Sequence, residues 1–278
     1  MAFIGTSLCA VGDLATGDDK LGAFTPFAWG FTVIVCVQLG FRTSGAHINP
    51  AISLLEFVSQ KISFTRFILY SIAQIAGGFI GAAMTFIIYY DLINNFDGGI
   101  RQVYGEKRTA HIFATYPKPY LTLRGGLVDQ IMSTMTLCIL LQGITRRRHG
   151  VPKHFQPYLV GTAVSLLSLG YSENCMCAMN PARDLGPRIF TLIAGYGWEV
   201  FSYRDYGWFF VPIIGPCIGA LLGGGLYKIF VGNFVSELPD DYNIPKPKQR
   251  KHDTSTITAS SITNEKEEII SVFTLPAY

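Results

Sequence analysis

The strongest constraint on the fold is a series of apolar runs long enough to cross a membrane. A helix rises about 1.5 Å per residue, so the roughly 30 Å hydrocarbon core of a bilayer needs about 20 apolar residues. Five runs are interpreted as spans, and they cover residues 24–41, 64–93, 127–144, 158–170 and 206–231. Charged residues make up only 15% of the chain, against about 25% in soluble domains. The sequence therefore predicts an all-α, multi-pass membrane protein.

A shorter apolar run at residues 1–11 precedes these spans. Its length is about half of what a span needs. No basic residue precedes the run and it ends in an acidic stretch, so we expect no cleavable signal peptide. We interpret it as the first of six transmembrane helices, truncated here to about half its length.

Two further apolar stretches, residues 50–58 and 181–194, are too short to cross a membrane. Each begins with Asn-Pro. Asparagine is a good N-cap and proline fits the first helical position, so each stretch predicts a half-helix that starts abruptly. Non-helical backbone at membrane depth is tolerated only where it is buried or lines a watery cavity. The plainer interpretation is two ordinary N-caps on core helices.

The two half-helices belong to a duplicated pattern. Residues 49–51 and 180–182 both read Asn-Pro-Ala, and similar Gly- and Ala-containing phrases follow at 77–82 and 215–220. Three spans separate the half-helices, so they enter from opposite faces, which predicts an inverted repeat with a site at its interface. The first repeat covers about residues 1–93 and the second about 126–231. The motif residues are Asn49, Pro50, Ala51, Asn180, Pro181 and Ala182.

If the two tips meet, they form a site with a defined chemistry. The two asparagine amides offer N–H donors, and each helix N-terminus carries about half an elementary positive charge. Such a site repels cations and orients passing water. Arg183 adds a cation, and an arginine inside a membrane is a functional-site hypothesis by default. The alternative is a structural pair with Asp184, although adjacent helix residues do not face each other.

Basic residues predict the topology. Residues 146–148 and 153 lie in a short loop, and a second basic group follows the last span at residues 228–251. Positive loops stay cytoplasmic, so residues 91–125 are expected outside the cell. We predict a channel domain at residues 1–235 and a disordered cytoplasmic tail at 236–278, whose Ser/Thr cluster is either a phosphorylation target or inert.

These motifs resemble the aquaporin (major intrinsic protein) family, and specifically its aquaglyceroporin branch, over about residues 3–235. The phrase at residues 179–188, Met-Asn-Pro-Ala-Arg-Asp-Leu-Gly-Pro-Arg, is similar to that branch's second motif, and Phe-Ala-Thr-Tyr-Pro at 113–117 is also similar. The resemblance implies a passive channel for glycerol, water and other small uncharged solutes such as urea, which excludes protons and ions. It further implies a homotetramer in the plasma membrane, with neither cofactor nor metal. The residues that match glycerol-branch markers are Tyr89, Asp184, Arg188, Pro212 and Ile213.

By position, the resemblance also assigns a selectivity filter to Trp29, Ser168, Cys177 and Arg183. Trp29 would offer an apolar wall and Arg183 a donor to hydroxyl groups. The small Ser168 and Cys177 would leave more room than the filter of water-only members. The plainer interpretations are an interfacial anchor for Trp29 and an apolar filler for Cys177, as for the other cysteines, which show no disulfide pattern.

The chain departs from the family at the first span, where the buried glutamate of the missing half is absent. In the second half, Gln130 beside Asp129 stands at the equivalent point, where such groups brace the loops. The alternative function is therefore a truncated, non-conducting subunit that regulates full-length channels. A secondary transporter would need intramembrane carboxylates, and only Asp129 and Asp184 approach that. We expect no enzyme and no nucleic-acid partner, and we interpret His47 as a brace rather than a ligand.

Overall fold

The computed structural model describes residues 1–14, 22–236 and 238. Helices dominate this part of the chain, and no strand occurs within it. The α-helices are α1 (Ala2–Leu14), α2 (Thr25–Ser44), α3 (Pro50–Val58), α4 (Phe64–Ile88), α5 (Tyr90–Asp97), α6 (Leu123–Thr145), α7 (Gln156–Cys175), α8 (Pro181–Thr191), α9 (Glu199–Ser202) and α10 (Val211–Tyr227). The predicted tail at 236–278 lies outside the described residues, apart from Ser236 and Leu238.

Six of these helices correspond to the predicted spans. Four helical segments are long and apolar enough to cross a membrane: Gly22–Ser44, Phe64–Ile88, Leu123–Thr145 and Val211–Gly232. Helix α7 has 20 residues, which is also a sufficient length. Helix α1 has 13 residues and rises about 20 Å. The predicted all-α architecture, with a short first helix and two half-helices, is confirmed.

Several predicted spans have different ends in the structure; the run at 158–170, for example, lies in a helix that extends to Cys175. The run at 64–93 was expected to be one tilted span, but α4 ends at Ile88 and α5 follows from Tyr90 as a separate helix. The run at 206–231 becomes helical only at Val211, because Tyr206 has a φ of 63° and turns the chain before Pro212 starts the helix. The α-helical part of α8 ends at Thr191, and a π-helical turn continues it over Leu192–Tyr196 with a kink at Gly195.

Glycines allow the half-helices to pack closely against the long helices. A Cβ atom added at Gly78 of α4 would lie 2.6 Å from the carbonyl oxygen of Ala182 in α8. One added at Gly186 would lie 2.4 Å from the carbonyl oxygen of Ile75. Helix α3 in turn packs against α10. Each half-helix therefore contacts the last long helix of the other repeat, which locks the two repeats together.

The connection between α5 and α6 is buried over its middle part. Residues 109–115 have no exposed side chain, and they pack against the ends of α1, α4 and α8. Phe113 contacts the rings of Phe86 and Phe190, with centroids 6.2 and 5.9 Å away. His111 Nε2 lies 3.3 Å from Asp13 Oδ2 at the end of α1. This segment closes one end of the helix bundle.

Candidate functional site

Asn49 and Asn180 cap the two half-helices in the same way. Both have extended backbones and stand directly before a proline that starts a helix. Asn49 Oδ1 accepts a hydrogen bond from the Ala51 backbone N–H at 2.9 Å, and Asn180 Oδ1 accepts from Ala182 N–H at 3.0 Å. The predicted half-helix starts are thereby confirmed at both motifs.

The two tips meet through a reciprocal pair of hydrogen bonds. Asn49 Nδ2 donates to the carbonyl oxygen of Met179 at 2.8 Å, and Asn180 Nδ2 donates to that of Ile48, also at 2.8 Å. Each contact joins residues more than 100 positions apart in sequence. One of the two amide hydrogens of each asparagine is therefore committed to the other loop, so each amide retains one further hydrogen.

The backbone before each asparagine has a left-handed conformation that sequence reasoning missed. Ile48 and Met179, directly before the asparagines, have φ values of 45° and 47°. Ala46 and Cys177, three residues before the asparagines, have φ values of 51° and 47°. Such conformations cost on the order of 1–3 kcal/mol each outside glycine and cluster at functional sites. No glycine at these positions announces them, so the signal is absent from a single sequence.

Polar side chains contact both loops, and the expected braces Gln130 and His47 are among them. Gln130 Oε1 accepts a hydrogen bond from the Met179 backbone N–H at 3.0 Å, and Gln130 Nε2 lies 3.2 Å from Cys175 Sγ. In the other half, His47 Nδ1 lies 3.1 Å from Ser53 Oγ, to which Gln74 Nε2 also donates at 3.1 Å. Gln130 therefore fixes the tip loop of α8, and His47 is tied to α3.

Arg183 is buried in the first turn of α8, with only 5% of its surface exposed. Its Nη1 donates to the carbonyl oxygen of Phe113 at 2.8 Å, and its Cζ lies 4.8 Å from the ring centroid of Trp29. The alternative pairing with Asp184 is wrong, because Asp184 bonds to Arg188 and Thr115 instead. The structure thus brings together two of the predicted filter residues, Trp29 and Arg183.

Trp29 is held between Arg183 and helix α1. A Cβ atom at Gly5 of α1 would lie 2.2 Å from Trp29 Cη2, so only glycine leaves room for the indole there. Trp29 is half-buried and packs against the cluster that contains Cys9 and Phe113. These contacts do not favour an interfacial anchor. The short first helix therefore includes the part that supports Trp29.

The other two predicted filter residues lie in the tip loop before α8 and on α7. Cys177 Sγ donates to the carbonyl oxygen of Leu167 at 3.5 Å, and Cys177 packs with Leu137 and Met179. Ser168 is buried on α7, next to Leu167. The described geometry places Cys177 in the tip loop, and the filter roles of Cys177 and Ser168 stay predictions.

The predicted glycerol-branch markers divide into two groups. Asp184 and Arg188 form a fully buried ion pair, with Asp184 Oδ1 2.7 Å from Arg188 Nε. Tyr89 ends α4, while Pro212 and Ile213 form the first turn of α10.

The Arg188 guanidinium also lies 4.6 Å from the ring centroid of Tyr116. Burial raises the pKa of the Tyr116 phenol to about 12, so this phenol stays neutral at physiological pH.

No cluster of metal-ligating side chains occurs among residues 1–14 and 22–236. The sequence of the chain matches the family described as "Major intrinsic protein" over residues 2–227.

The chain belongs to the major intrinsic protein family.

Similar members of the major intrinsic protein family are aquaporins. The chain is 39% identical to aquaporin-10 of Homo sapiens over 229 residues, which cover 82% of this chain and 76% of that protein. It is 40% identical to aquaporin-9 of Mus musculus over 245 residues, which cover 86% and 82%. The X-ray structure of the aquaglyceroporin from Plasmodium falciparum has the same fold, with a TM-score of 0.74 at 24% identity over 83% of this chain and 90% of that one.

Membership of the major intrinsic protein family confirms the resemblance drawn from the two motifs. The chain is a multi-pass integral membrane protein, and its family consists of channels rather than enzymes. The aquaporin-like fold predicted from the inverted repeat is likewise confirmed.

Proposed function

We propose that this chain is a passive channel for glycerol and water that excludes protons and ions. One observation carries the proposal: the reciprocal hydrogen bonds of Asn49 and Asn180 hold two helix N-termini at one point inside the bundle. A pair of helix tips at membrane depth is tolerated only where it is buried in protein or lines a wet passage, and the second case fits an arginine beside the tips. The relatedness to aquaporins supports the same conclusion.

The tips would recognise the oxygen atom of a passing solute. Each asparagine keeps one amide hydrogen beyond the one given to the opposite loop. This hydrogen can be donated to an acceptor oxygen of a passing solute. The two helix N-termini add about half an elementary positive charge each. Cations are repelled, and a water that accepts at the tips is oriented so that it interrupts a proton-conducting chain.

The filter would distinguish a polyol from an ion by pairing an apolar wall with a charged donor. Trp29 offers its ring to the carbon backbone of glycerol, while the Arg183 guanidinium, which has five N–H donors, uses one for Phe113. Ser168 and Cys177 are small and leave space for a three-carbon solute. We propose that urea, a flat molecule with one acceptor oxygen, also passes the channel.

The surroundings of the channel are proposed on separate grounds. Large apolar side chains such as Leu39, Ile87 and Phe31 are 77%, 74% and 66% exposed, which fits contact with lipid tails or another subunit. A homotetramer is what the family resemblance implies. The positive loop at 146–148 supports a cytoplasmic position for the tail, and we propose the plasma membrane as the location.

The alternative is a non-conducting subunit that regulates full-length channels. The observation that disfavours it is the close packing of α1 against Trp29 at Gly5. Because helix α1 supports Trp29 beside Arg183, we favour conduction.

Tracer flux into proteoliposomes tests the proposal. Glycerol uptake by the purified chain should rise linearly with concentration and stay unchanged when a proton gradient is imposed, whereas sucrose uptake should match that of protein-free liposomes. Saturable uptake that follows the proton gradient would identify a transporter instead. No uptake by the chain alone, with altered uptake when it is mixed with a full-length aquaporin, would support the regulatory alternative.

A further inference from the structure

A buried polar cluster around Thr115 is not part of the predicted filter or of the tips. Thr115 lies in the connection between α5 and α6 and has no exposed surface. Its backbone N–H and its hydroxyl both donate to Asp184 Oδ2, at 2.7 and 2.5 Å. Its carbonyl oxygen accepts from Arg188 Nη2 and from Trp208 Nε1, both at 2.7 Å. Every polar group of this residue is therefore occupied.

The partners of Thr115 come from α8 and from the segment before α10, and one of them, Arg188, is held further by α9. Arg188 is bound to Asp184 along α8, and its Nη1 donates to the carbonyl oxygen of Val200 in α9 at 2.7 Å. Trp208 precedes α10 and is 1% exposed. Buried charges that are paired and hydrogen-bonded hold their geometry, because any displacement leaves a charge without a partner. Thr115 is thus held more firmly than a loop residue usually is.

This cluster is linked to Arg183 by a closed ring of contacts. Asp184, which holds Thr115, directly follows Arg183 in α8. Two residues before Thr115, the carbonyl oxygen of Phe113 accepts from Arg183 Nη1 at 2.8 Å. The ring runs from Arg183 through Phe113 to Thr115, and from there through Asp184 back to Arg183. A shift of Thr115 must therefore move the acceptor that orients the guanidinium.

We propose that Thr115 is a positioning residue for Arg183, and that the bond between its hydroxyl and Asp184 sets which solutes the filter passes. The inference rests on the proposed channel function, which it deepens. It also gives a physical role to Asp184 and Arg188: together they hold the segment whose carbonyl oxygen aims Arg183. A purely structural clamp would instead alter the amount of folded protein and leave selectivity unchanged.

The experiment compares Thr115→Val with Thr115→Ser. Valine keeps the shape and the backbone N–H bond but lacks the hydroxyl, whereas serine retains the hydroxyl. Thr162→Val is a matched control, because the Thr162 hydroxyl donates to Tyr158 O within α7 and its side chain is exposed. Glycerol and water permeabilities are measured by stopped-flow light scattering on the same proteoliposomes at equal protein content.

We expect Thr115→Val to change the glycerol-to-water permeability ratio by about threefold or more, since solute discrimination depends on differential contacts at the filter. Thr115→Ser and Thr162→Val should retain the wild-type ratio. A second variant, Trp208→Phe, removes the donor to Thr115 O while keeping an aromatic ring, and it should also change the ratio. If Thr115→Val does not fold, the permeability ratio of Trp208→Phe tests the inference instead.

A wild-type ratio in whichever of Thr115→Val and Trp208→Phe fold would overturn the inference while leaving the proposed function intact. An equal change in Thr115→Val and Thr115→Ser would also overturn it, because the hydroxyl would then not matter. Absence of both water and glycerol flux in the wild-type chain would overturn the proposed function itself, and the inference with it.

Discussion

At the residue scale, each motif asparagine divides its amide between two tasks. The oxygen caps the helix that the asparagine itself starts, and the nitrogen holds the loop of the other repeat. An aspartate would retain the first task but lose the second, because an ionised carboxylate donates no hydrogen bond. The same residue therefore begins a half-helix and joins the two halves of the molecule.

Replacement of Arg183 by valine should weaken the exclusion of cations. The guanidinium is a buried charge beside Trp29, and valine removes both the charge and the bond to Phe113 O. We expect proton or sodium leakage through Arg183→Val proteoliposomes, measured with a pH-sensitive dye or by tracer flux, while the wild type stays at the protein-free background. A proton and sodium leak through Arg183→Val that is no larger than through the wild type would show that Arg183 does not face the passage.

The two neighbouring cysteines should respond differently to mercurials. Cys177 lies in the tip loop and is 7% exposed, whereas Cys175 is 1% exposed and its thiol donates to Asp129 Oδ1 at 3.3 Å. A mercurial should therefore reduce glycerol flux several-fold in the wild type and in Cys175→Ser, and have little effect in Cys177→Ser. The check is tracer uptake before and after treatment, with reversal by a thiol. Persistent inhibition of Cys177→Ser would place the reactive thiol elsewhere.

At the scale of elements, the half-helices depend on close contacts that only glycine permits. Gly186 of α8 faces backbone atoms of α4, with the Ile75 carbonyl oxygen 2.4 Å and the Phe79 nitrogen 2.8 Å from an added Cβ. Backbone atoms cannot move aside as a flexible side chain can. The depth and direction of α8, and with them the position of Asn180 at its tip, therefore follow from this crossing.

Gly186→Ala should destabilise the fold by about 1–3 kcal/mol, the usual cost of forcing extra volume into a packed contact. The matched control is Gly77→Ala on α4, where an added Cβ meets no atom within 4 Å. There alanine should be neutral or stabilising by up to about 1 kcal/mol, since it favours helix over the unfolded chain. Thermal unfolding in detergent distinguishes the two variants. A Gly186→Ala protein as stable as Gly77→Ala would contradict the close approach of α8 to α4 at Gly186.

The predictability of these elements follows from how local their causes are. The starts of α3 and α8 were predictable because Asn-Pro capping involves only adjacent residues. The buried segment at 109–115 was not predictable, because it depends on distant contacts such as that of Thr115 with Asp184. The left-handed φ values of Ile48 and Met179 are imposed in the same way by the opposite loop.

At the scale of the whole molecule, the two repeats are interlocked rather than merely adjacent. Helix α8 packs on α4 and α3 packs on α10, so neither half-helix is supported by its own repeat alone. The reciprocal asparagine bonds join the two repeats at their centre. A chain built in this way forms its central site only when both repeats are folded together.

The first helix supports both α4 and Trp29. Helix α1 contacts α4 through the hydroxyl pair Thr6–Thr85, at 2.7 Å, and accommodates Trp29 at Gly5. Because Trp29 is supported in this way, we predict that this chain conducts by itself.

Stopped-flow light scattering of proteoliposomes that contain only this chain is the most direct test. After a glycerol gradient is applied, and separately after an osmotic step, the account predicts that swelling and shrinkage are several-fold faster than in protein-free liposomes of the same lipid. Circular dichroism of the same preparation checks that the protein is helical. Helical, correctly inserted protein whose water and glycerol rates both equal those of protein-free liposomes would contradict the claim that the meeting helix tips line an open passage.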